Sequence, residues 1–70
     1  MPLVLCVRNN GYAASLEKRK IYVAISDSVE VRHGQIRVID ESGEDYMYPE
    51  SFFVPVTLPR SVRKAILAAA

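Results

Sequence analysis

The stretch of the chain that decides the fold is QIRVIDESGEDYMYPESFFVPV, residues 35–56. It begins with side chains that alternate in character over residues 35–40, which predicts a strand. The turn that follows contains Gly43 at a position where a positive φ is expected. The chain then returns through residues 45–48, whose two tyrosines favour a strand. This part of the sequence therefore predicts a β-hairpin with an acidic turn.

Further strands precede and follow this hairpin. Residues 3–7 and 21–26 alternate aliphatic side chains with a period of two, which predicts two more strands. Residues 49–51 predict a single 3₁₀-like turn, and residues 52–56 predict a last short strand. Pro55 has no backbone N–H, so we expect this last strand at an edge or an end of the sheet. Five short strands in about 55 residues are typical of a small barrel or sandwich, and closure into a barrel would remove the exposed edges of so short a chain.

The connections between these strands differ in character. Residues 12–20 have no strand period, and we expect there an ordered loop, or one helical turn, in which Leu16 fills the core. Residues 27–33 are polar and predict a second loop. Residues 59–69 predict a helix, because apolar side chains recur at helical spacing on one face and cations on the other. The apolar positions are Leu58, Val62, Ala65, Ile66 and Ala69, and the cations are Arg60, Arg63 and Lys64. A helix this short has to dock on the barrel or on a partner to be stable.

The length and composition favour one small globular domain. The 70 residues include a single cysteine, so an internal disulfide is excluded. No apolar run approaches the ~20 residues needed to cross a bilayer, and the apolar start of the chain is too short for a signal peptide. We therefore expect a cytoplasmic protein with no membrane association. The overall prediction is an all-β domain over residues 1–70, with a five-stranded barrel over residues 3–56 and a short C-terminal α-helix over residues 59–69.

Charge is unevenly distributed along the chain, whose net charge is +1. Residues 40–50 contain five acidic side chains and no basic one. Residues 60–64 contain three basic side chains. The small net charge argues against a general attraction to nucleic acid, and the uneven distribution makes the molecule dipolar.

Residues 43–54, GEDYMYPESFFV, resemble the end of an SH3 domain. In that family a glycine in the distal hairpin is followed by an apolar strand, and then by proline, two residues and an aromatic side chain; Pro49 and Phe52 have this spacing. SH3-like barrels also carry their longest loop after the first strand, as predicted here. The resemblance implies an SH3-like barrel. SH3 domains that bind proline-rich peptides use a tryptophan, which this chain lacks, so Tyr12, Tyr46 and Phe52 could line only part of such a groove.

The whole chain also resembles a group of short bacterial proteins of uncharacterised function. The resemblance extends over most of the chain and lies in four shared blocks. They are GYxASLE at residues 11–17, KxY at 20–22, IRVxDESGEDYxYP at 36–49 and FxP at 53–55. This resemblance implies a bacterial protein and brings no established activity with it.

The acidic turn has two interpretations. Clustered carboxylates suit hard divalent cations, although the alternating ligand spacing of a calcium loop is missing. The interpretation that we prefer is a solvated hairpin whose carboxylates accept backbone N–H groups or pair with Arg37 and Arg8.

The remaining reactive side chains do not form a recognisable catalytic or metal site. Cys6 lies between apolar neighbours in the first predicted strand, and we expect a buried structural thiol. His33 ends a predicted loop, and no pattern places it near Cys6. One cysteine and one histidine are too few ligands for a typical zinc site. We therefore predict no catalytic residue, no metal and no cofactor.

Two functions from different classes stay open. The first is a non-enzymatic interaction module or accessory protein, acting through protein–protein contacts, with the homodimeric state left open. Its expected partner surface is Tyr12, Leu16, Asp40, Glu41, Glu44, Asp45, Tyr46, Pro49 and Phe52. The alternative is a nucleic-acid-binding small barrel, because basic residues interleaved with aromatic ones can hold single strands. Its surface would be Arg8, Lys18, Arg19, Lys20 and Arg37. Leu67 lies off the main apolar stripe of the helix and is either a dimer contact or a surface residue.

Overall fold

A computed structural model of the chain describes residues 2–25 and 34–69. It contains five strands, a three-residue 3₁₀ helix and one α-helix. They are β1 (Leu3–Cys6), β2 (Ile21–Ile25), β3 (Gln35–Ile39), β4 (Asp45–Pro49), the 3₁₀ helix (Glu50–Phe52), β5 (Phe53–Val56) and α1 (Arg60–Ala68). The predicted strands, the 3₁₀ turn and the C-terminal helix are therefore confirmed, with bounds that differ by one or two residues. The predicted loop over residues 27–33, with His33, lies outside the described residues.

The strands form one antiparallel sheet in the order β4-β3-β2-β1-β5. Within β2, Ile21, Tyr22 and Val23 pair with β1, whereas Ala24 and Ile25 pair with β3. One short strand thus joins the two halves of the sheet.

The sheet is open, so the predicted closed barrel is not confirmed. β4 and β5 lie at the two edges, and no ladder joins them in the described part of the chain. Pro49 in β4 and Pro55 in β5 have no backbone N–H, so each edge strand has one donor fewer for pairing. The sequence correctly placed Pro55 at an edge, opposite Val4 of β1. The architecture shown is therefore a five-stranded open sheet with a C-terminal helix.

The core lies on one face of the sheet and is completed by the loop between β1 and β2. The strands and the 3₁₀ helix supply buried apolar side chains, and the loop adds Leu16. These buried residues are Val4, Cys6, Leu16, Tyr22, Ala24, Val38, Tyr48, Phe52 and Phe53. Leu16 is 0% exposed, which confirms that it fills the core.

Cys6 is a buried structural thiol, as predicted. Its side chain belongs to the core cluster, and its Sγ donates a hydrogen bond to the carbonyl of Arg8 at 3.1 Å. Burial raises the pKa of the Cys6 thiol, so the reactive thiolate is disfavoured.

The helix α1 lies beside the opposite face of the sheet. Ile66 and Ala69 of α1 and Ile21 and Val23 of β2 line one cleft of about 700 Å³. No residue of α1 is buried, and Val62 is 44% exposed. α1 thus faces the sheet across this cleft, but the predicted docking of its apolar stripe is not confirmed, because no residue of α1 is buried. In the described parts of the chain, no helix is long and apolar enough to cross a membrane.

Candidate interaction surface

Asp40 is the centre of a buried hydrogen-bond network at the start of the acidic turn. Its side chain accepts hydrogen bonds from the Ser42 backbone N–H at 2.9 Å, the Ser42 hydroxyl at 2.5 Å and the Tyr48 hydroxyl at 2.5 Å. Asp40 is only 6% exposed and Tyr48 only 3%. The bond to the Ser42 N–H is the one by which Asp residues commonly stabilise turns. Asp40 is therefore a buried residue that stabilises the conformation of the turn.

Hydrogen bonding decides the ionisation of this buried pair. Burial alone would raise the pKa of Asp40, but the hydrogen bonds from Ser42 and Tyr48 outweigh burial and lower it. Burial raises the pKa of Tyr48, and the hydrogen bond to the Asp40 carboxylate raises it further. At neutral pH the network is therefore a charged carboxylate held by neutral hydroxyl donors.

Glu41 is held by a second set of contacts. Its Oε1 accepts a hydrogen bond from Lys20 Nζ at 2.8 Å, and its Oε2 accepts one from the Tyr22 hydroxyl at 2.6 Å. The Tyr22 hydroxyl in turn accepts the backbone N–H of Glu17 at 2.7 Å. The hydrogen bonds from Lys20 and Tyr22 lower the pKa of Glu41. The pKa of Tyr22 is raised, mainly by burial and also by its hydrogen bond to Glu41. Glu41 therefore connects the acidic turn to Lys20, at the end of the preceding loop, and to Tyr22 in β2.

The loop over residues 7–20 and the acidic turn are joined at further points. The Glu41 backbone N–H donates to the Ser15 carbonyl at 3.0 Å, and Ser15 Oγ lies 2.9 Å from the Tyr48 hydroxyl. The Asn9 side-chain amide donates to the Leu16 carbonyl at 2.9 Å, inside the loop. The sequence blocks at residues 11–17 and 36–49 are thus neighbours in space. Their interlocking side chains hold the loop in one position.

The far end of the hairpin carries the more exposed carboxylates. Arg37 pairs with Asp45 at 2.9 Å, and the Tyr46 hydroxyl donates to Glu44 at 3.2 Å. The preferred interpretation of the acidic turn, in which carboxylates accept backbone N–H groups or pair with Arg37, is confirmed by the contacts of Asp40 and Asp45. The pairing expected for Arg8 is not found among the described residues.

Exposed aromatic side chains border this end of the hairpin. Tyr12, Glu44, Tyr46 and Met47 line a shallow cavity of about 400 Å³, and we call them the acidic–aromatic patch. Tyr12 is 43% exposed, Tyr46 52% and Met47 41%. The floor of the cavity includes Asp40 and Tyr48, the buried pair described above.

Tyr12 is fixed in the patch by ring contacts. Its ring meets the Tyr48 ring edge to face, with centroids 5.0 Å apart, and meets the Phe52 ring with centroids 5.9 Å apart. Edge-to-face pairs of this kind are favourable. Tyr48 and Phe52 are buried, so their contacts fix one side of the Tyr12 ring while its other side is exposed to solvent.

The residues predicted for a partner surface divide into three groups. Tyr12, Glu44 and Tyr46 lie together in the patch, with Glu41, Asp45 and Pro49 near by in the sequence. Leu16, Asp40 and Phe52 are buried, at 0, 6 and 8% exposed, and so support the surface from beneath. Met47 was missed, because strand alternation placed it opposite the two tyrosines and no motif marks it.

The cations predicted for a nucleic-acid surface do not form one free group. Lys20 is bound to Glu41, and Arg37 is bound to Asp45. Arg8, Lys18 and Arg19 are exposed, and Lys18 and Arg19 line a depression beside the end of β1. The backbone N–H of Arg19 donates to the Cys6 carbonyl at 2.7 Å, and its φ of +71° lies in the left-handed region.

Comparison of the chain with protein-family models, curated proteins and solved structures finds no match. Within residues 2–25 and 34–69, no group of three or more His, Cys, Asp or Glu side chains is placed to hold a metal ion. The function is therefore inferred from the geometry of the acidic–aromatic patch.

Proposed function

We propose that this protein is a non-enzymatic interaction module that binds a basic segment of a partner protein through the acidic–aromatic patch. One observation carries the proposal: two tyrosines, 43% and 52% exposed, border a cavity of about 400 Å³ whose lining includes the buried, hydrogen-bonded pair of Asp40 and Tyr48. Exposed aromatic side chains on a rigid support are typical anchors of protein–protein contacts. The Asp40 network supplies that support.

The charge of the hairpin favours a basic partner. Residues 40–50 contain five carboxylates and no cation, and in the described part of the chain Lys20 pairs with Glu41 and Arg37 with Asp45. The excess of negative charge attracts Lys and Arg side chains. Cations placed over the exposed tyrosine rings would add about 0.5–1 kcal/mol each. A segment that combines Lys or Arg with an apolar side chain therefore fits the patch best.

The scaffold of the module is proposed to be SH3-like. The five strands, the longest loop after β1 and the 3₁₀ helix with Phe52 three residues after Pro49 support this assignment. The chain has no tryptophan, which argues against a proline-rich ligand. The ligand that we propose is therefore the basic segment that the charge of the hairpin favours, and not a proline-rich one.

The nucleic-acid alternative has less support than protein binding. Two of its five cations are engaged by carboxylates, and the hairpin would repel phosphate groups. A catalytic role for the thiol is also unsupported, because Cys6 is buried.

Selection of displayed random peptides on the full chain tests the proposal. We expect the selected peptides to be enriched in Lys or Arg next to an aromatic or aliphatic residue. Tyr46→Ala should weaken the best peptide by about tenfold, which corresponds to ~1.4 kcal/mol. Val54→Ala is the matched control, because Val54 is 41% exposed and lies in β5, at the opposite edge of the sheet. Peptides without a charge bias, or equal effects of the two substitutions, would show that the patch is not the binding surface.

A further inference from the structure

A second charged surface lies on α1 and the residue before it. Leu58, Arg60, Lys64 and Leu67 line a depression of about 540 Å³, and we call them the basic–leucine patch. The two leucines are half-buried, and Arg60 and Lys64 are exposed. Leu67 lies off the apolar stripe predicted for the helix, and it thus belongs to the basic–leucine patch instead.

The basic–leucine patch and the acidic–aromatic patch are separate surfaces of the molecule. The two depressions share no lining residue. Ile66 and Ala69 border the cleft beside β2 together with Ile21 and Val23, so this side of α1 faces the sheet. A contact between the two patches that leaves α1 in this position would join two copies of the chain.

The two patches are complementary in charge and in chemistry. One has tyrosine rings beside carboxylates, and the other has leucines beside cations. Tyr46, at 52%, is the most exposed large apolar side chain of the described residues. Its ring can fill the depression between Leu58 and Leu67, where Glu44 would face Arg60 or Lys64.

We propose that the basic–leucine patch of one copy binds the acidic–aromatic patch of a second copy, head to tail. This inference rests on the proposed function, because it names the chain itself as the source of the basic segment. The contact joins two different surfaces, so each bound pair keeps one free patch of each kind. Association therefore continues beyond the dimer, to a ring or to an open chain.

The size of the molecule allows such a contact. A standard interface buries about 800 Å² on each partner, against a total accessible surface of 4896 Å². The helix also gains from it, because α1 has no buried residue and a helix of nine residues depends on packing for its stability. An amphipathic helix laid in an apolar groove is a common mode of recognition.

Sedimentation velocity of the full chain, over a range of concentrations and at low and high salt, tests this inference. We expect self-association that weakens with salt, because rim charges contribute to it. Glu44→Lys and Lys64→Glu, each alone, should weaken it by about fivefold or more. An equimolar mixture of the two variants should associate again, because each reversed charge then meets an opposite one. Glu17→Lys is the control, since the Glu17 side chain is 67% exposed and lines neither patch.

The outcomes separate the two proposals. A monomer at all concentrations would overturn the head-to-tail contact and leave peptide binding by the patch in place. Self-association that neither charge reversal weakens, or that the mixture does not restore, would also overturn it. Peptide selection that fails to involve Tyr46 would instead overturn the proposed function. Far-UV circular dichroism of each variant shows that the fold is retained, and recovery in the mixture itself requires folded chains.

Discussion

Leu16→Ala is expected to lower the free energy of unfolding by about 3 kcal/mol. Leu16 is 0% exposed and is the core residue supplied by the loop over residues 7–20. Its removal leaves a cavity that strands cannot refill, because the loop is tied in place at Asn9 and Ser15. A domain of this size has about 4–10 kcal/mol of stability in total, so the loss is a large fraction of it.

Urea unfolding followed by circular dichroism measures this effect. Leu16→Met is the matched control, because it keeps the side-chain volume and should cost less than about 1.5 kcal/mol. If Leu16→Ala unfolds within about 1 kcal/mol of the wild type, the loop is not anchored in the core and the support of the patch is misassigned.

Asp40→Ala should have an effect of similar size, about 3 kcal/mol. The substitution removes the acceptor of the Ser42 N–H and leaves the buried Tyr48 hydroxyl with Ser15 Oγ as its remaining partner. Asp40→Asn keeps an acceptor oxygen and removes only the charge, so it should cost less, about 1 kcal/mol at neutral pH. Unfolding in urea at neutral pH gives both values.

The pH dependence of the same pair tests the charge of Asp40 directly. Its pKa in the folded protein lies below the ordinary value of 3.8. The contribution of the charge to stability is therefore complete above that value and is lost as the pH falls through the lower pKa of the folded state. We expect the stability difference between wild type and Asp40→Asn to shrink as the pH is lowered below 3.8. A constant difference from neutral pH to strongly acidic pH would mean that Asp40 is not held as a carboxylate.

The sequence predicted the elements well because each one has a local signal. Alternation marks the strands, Gly43 supplies the positive φ of the turn, at +84°, and Pro55 marks an edge. Closure of the sheet has no local signal, because it depends on whether the two edge strands meet. The loop was predicted as irregular with a buried Leu16, since an isolated leucine among polar residues has few other places to go.

The candidate site was predicted in composition and only partly in geometry. Tyr46 and Tyr48 lie on one face of β4, yet Tyr46 is 52% exposed and Tyr48 only 3%. The spacing of residues along a strand predicts which face of the sheet a side chain lies on. Whether that side chain is buried depends on which part of the face the loop covers. The bond between Tyr22 and Glu41 joins residues 19 apart in the chain, and no pattern reveals it. Two of the five acidic side chains, the buried Asp40 and the more exposed Glu41, thus hold the turn through hydrogen bonds within the molecule.

The hydrogen bonds of Asp40 and Glu41 hold the acidic–aromatic patch in place. The Tyr12 ring rests on Tyr48, and the Tyr48 hydroxyl is bonded to Asp40. In the proposed function, a partner would meet a Tyr12 ring already held by these contacts, which would reduce the entropic cost of binding. In the proposed function, Asp40 and Glu41 hold the turn and Glu44 is left to meet the partner.

The most direct test of the patch as the binding surface is a titration of the ¹⁵N-labelled chain with the tightest selected peptide, followed by ¹H–¹⁵N correlation spectra. We predict that the largest shifts occur at the backbone amides of Tyr12, Glu44 and Tyr46, and that they saturate with one peptide per chain. Shifts confined to the surface of Arg8, Lys18 and Arg19 would contradict the assignment.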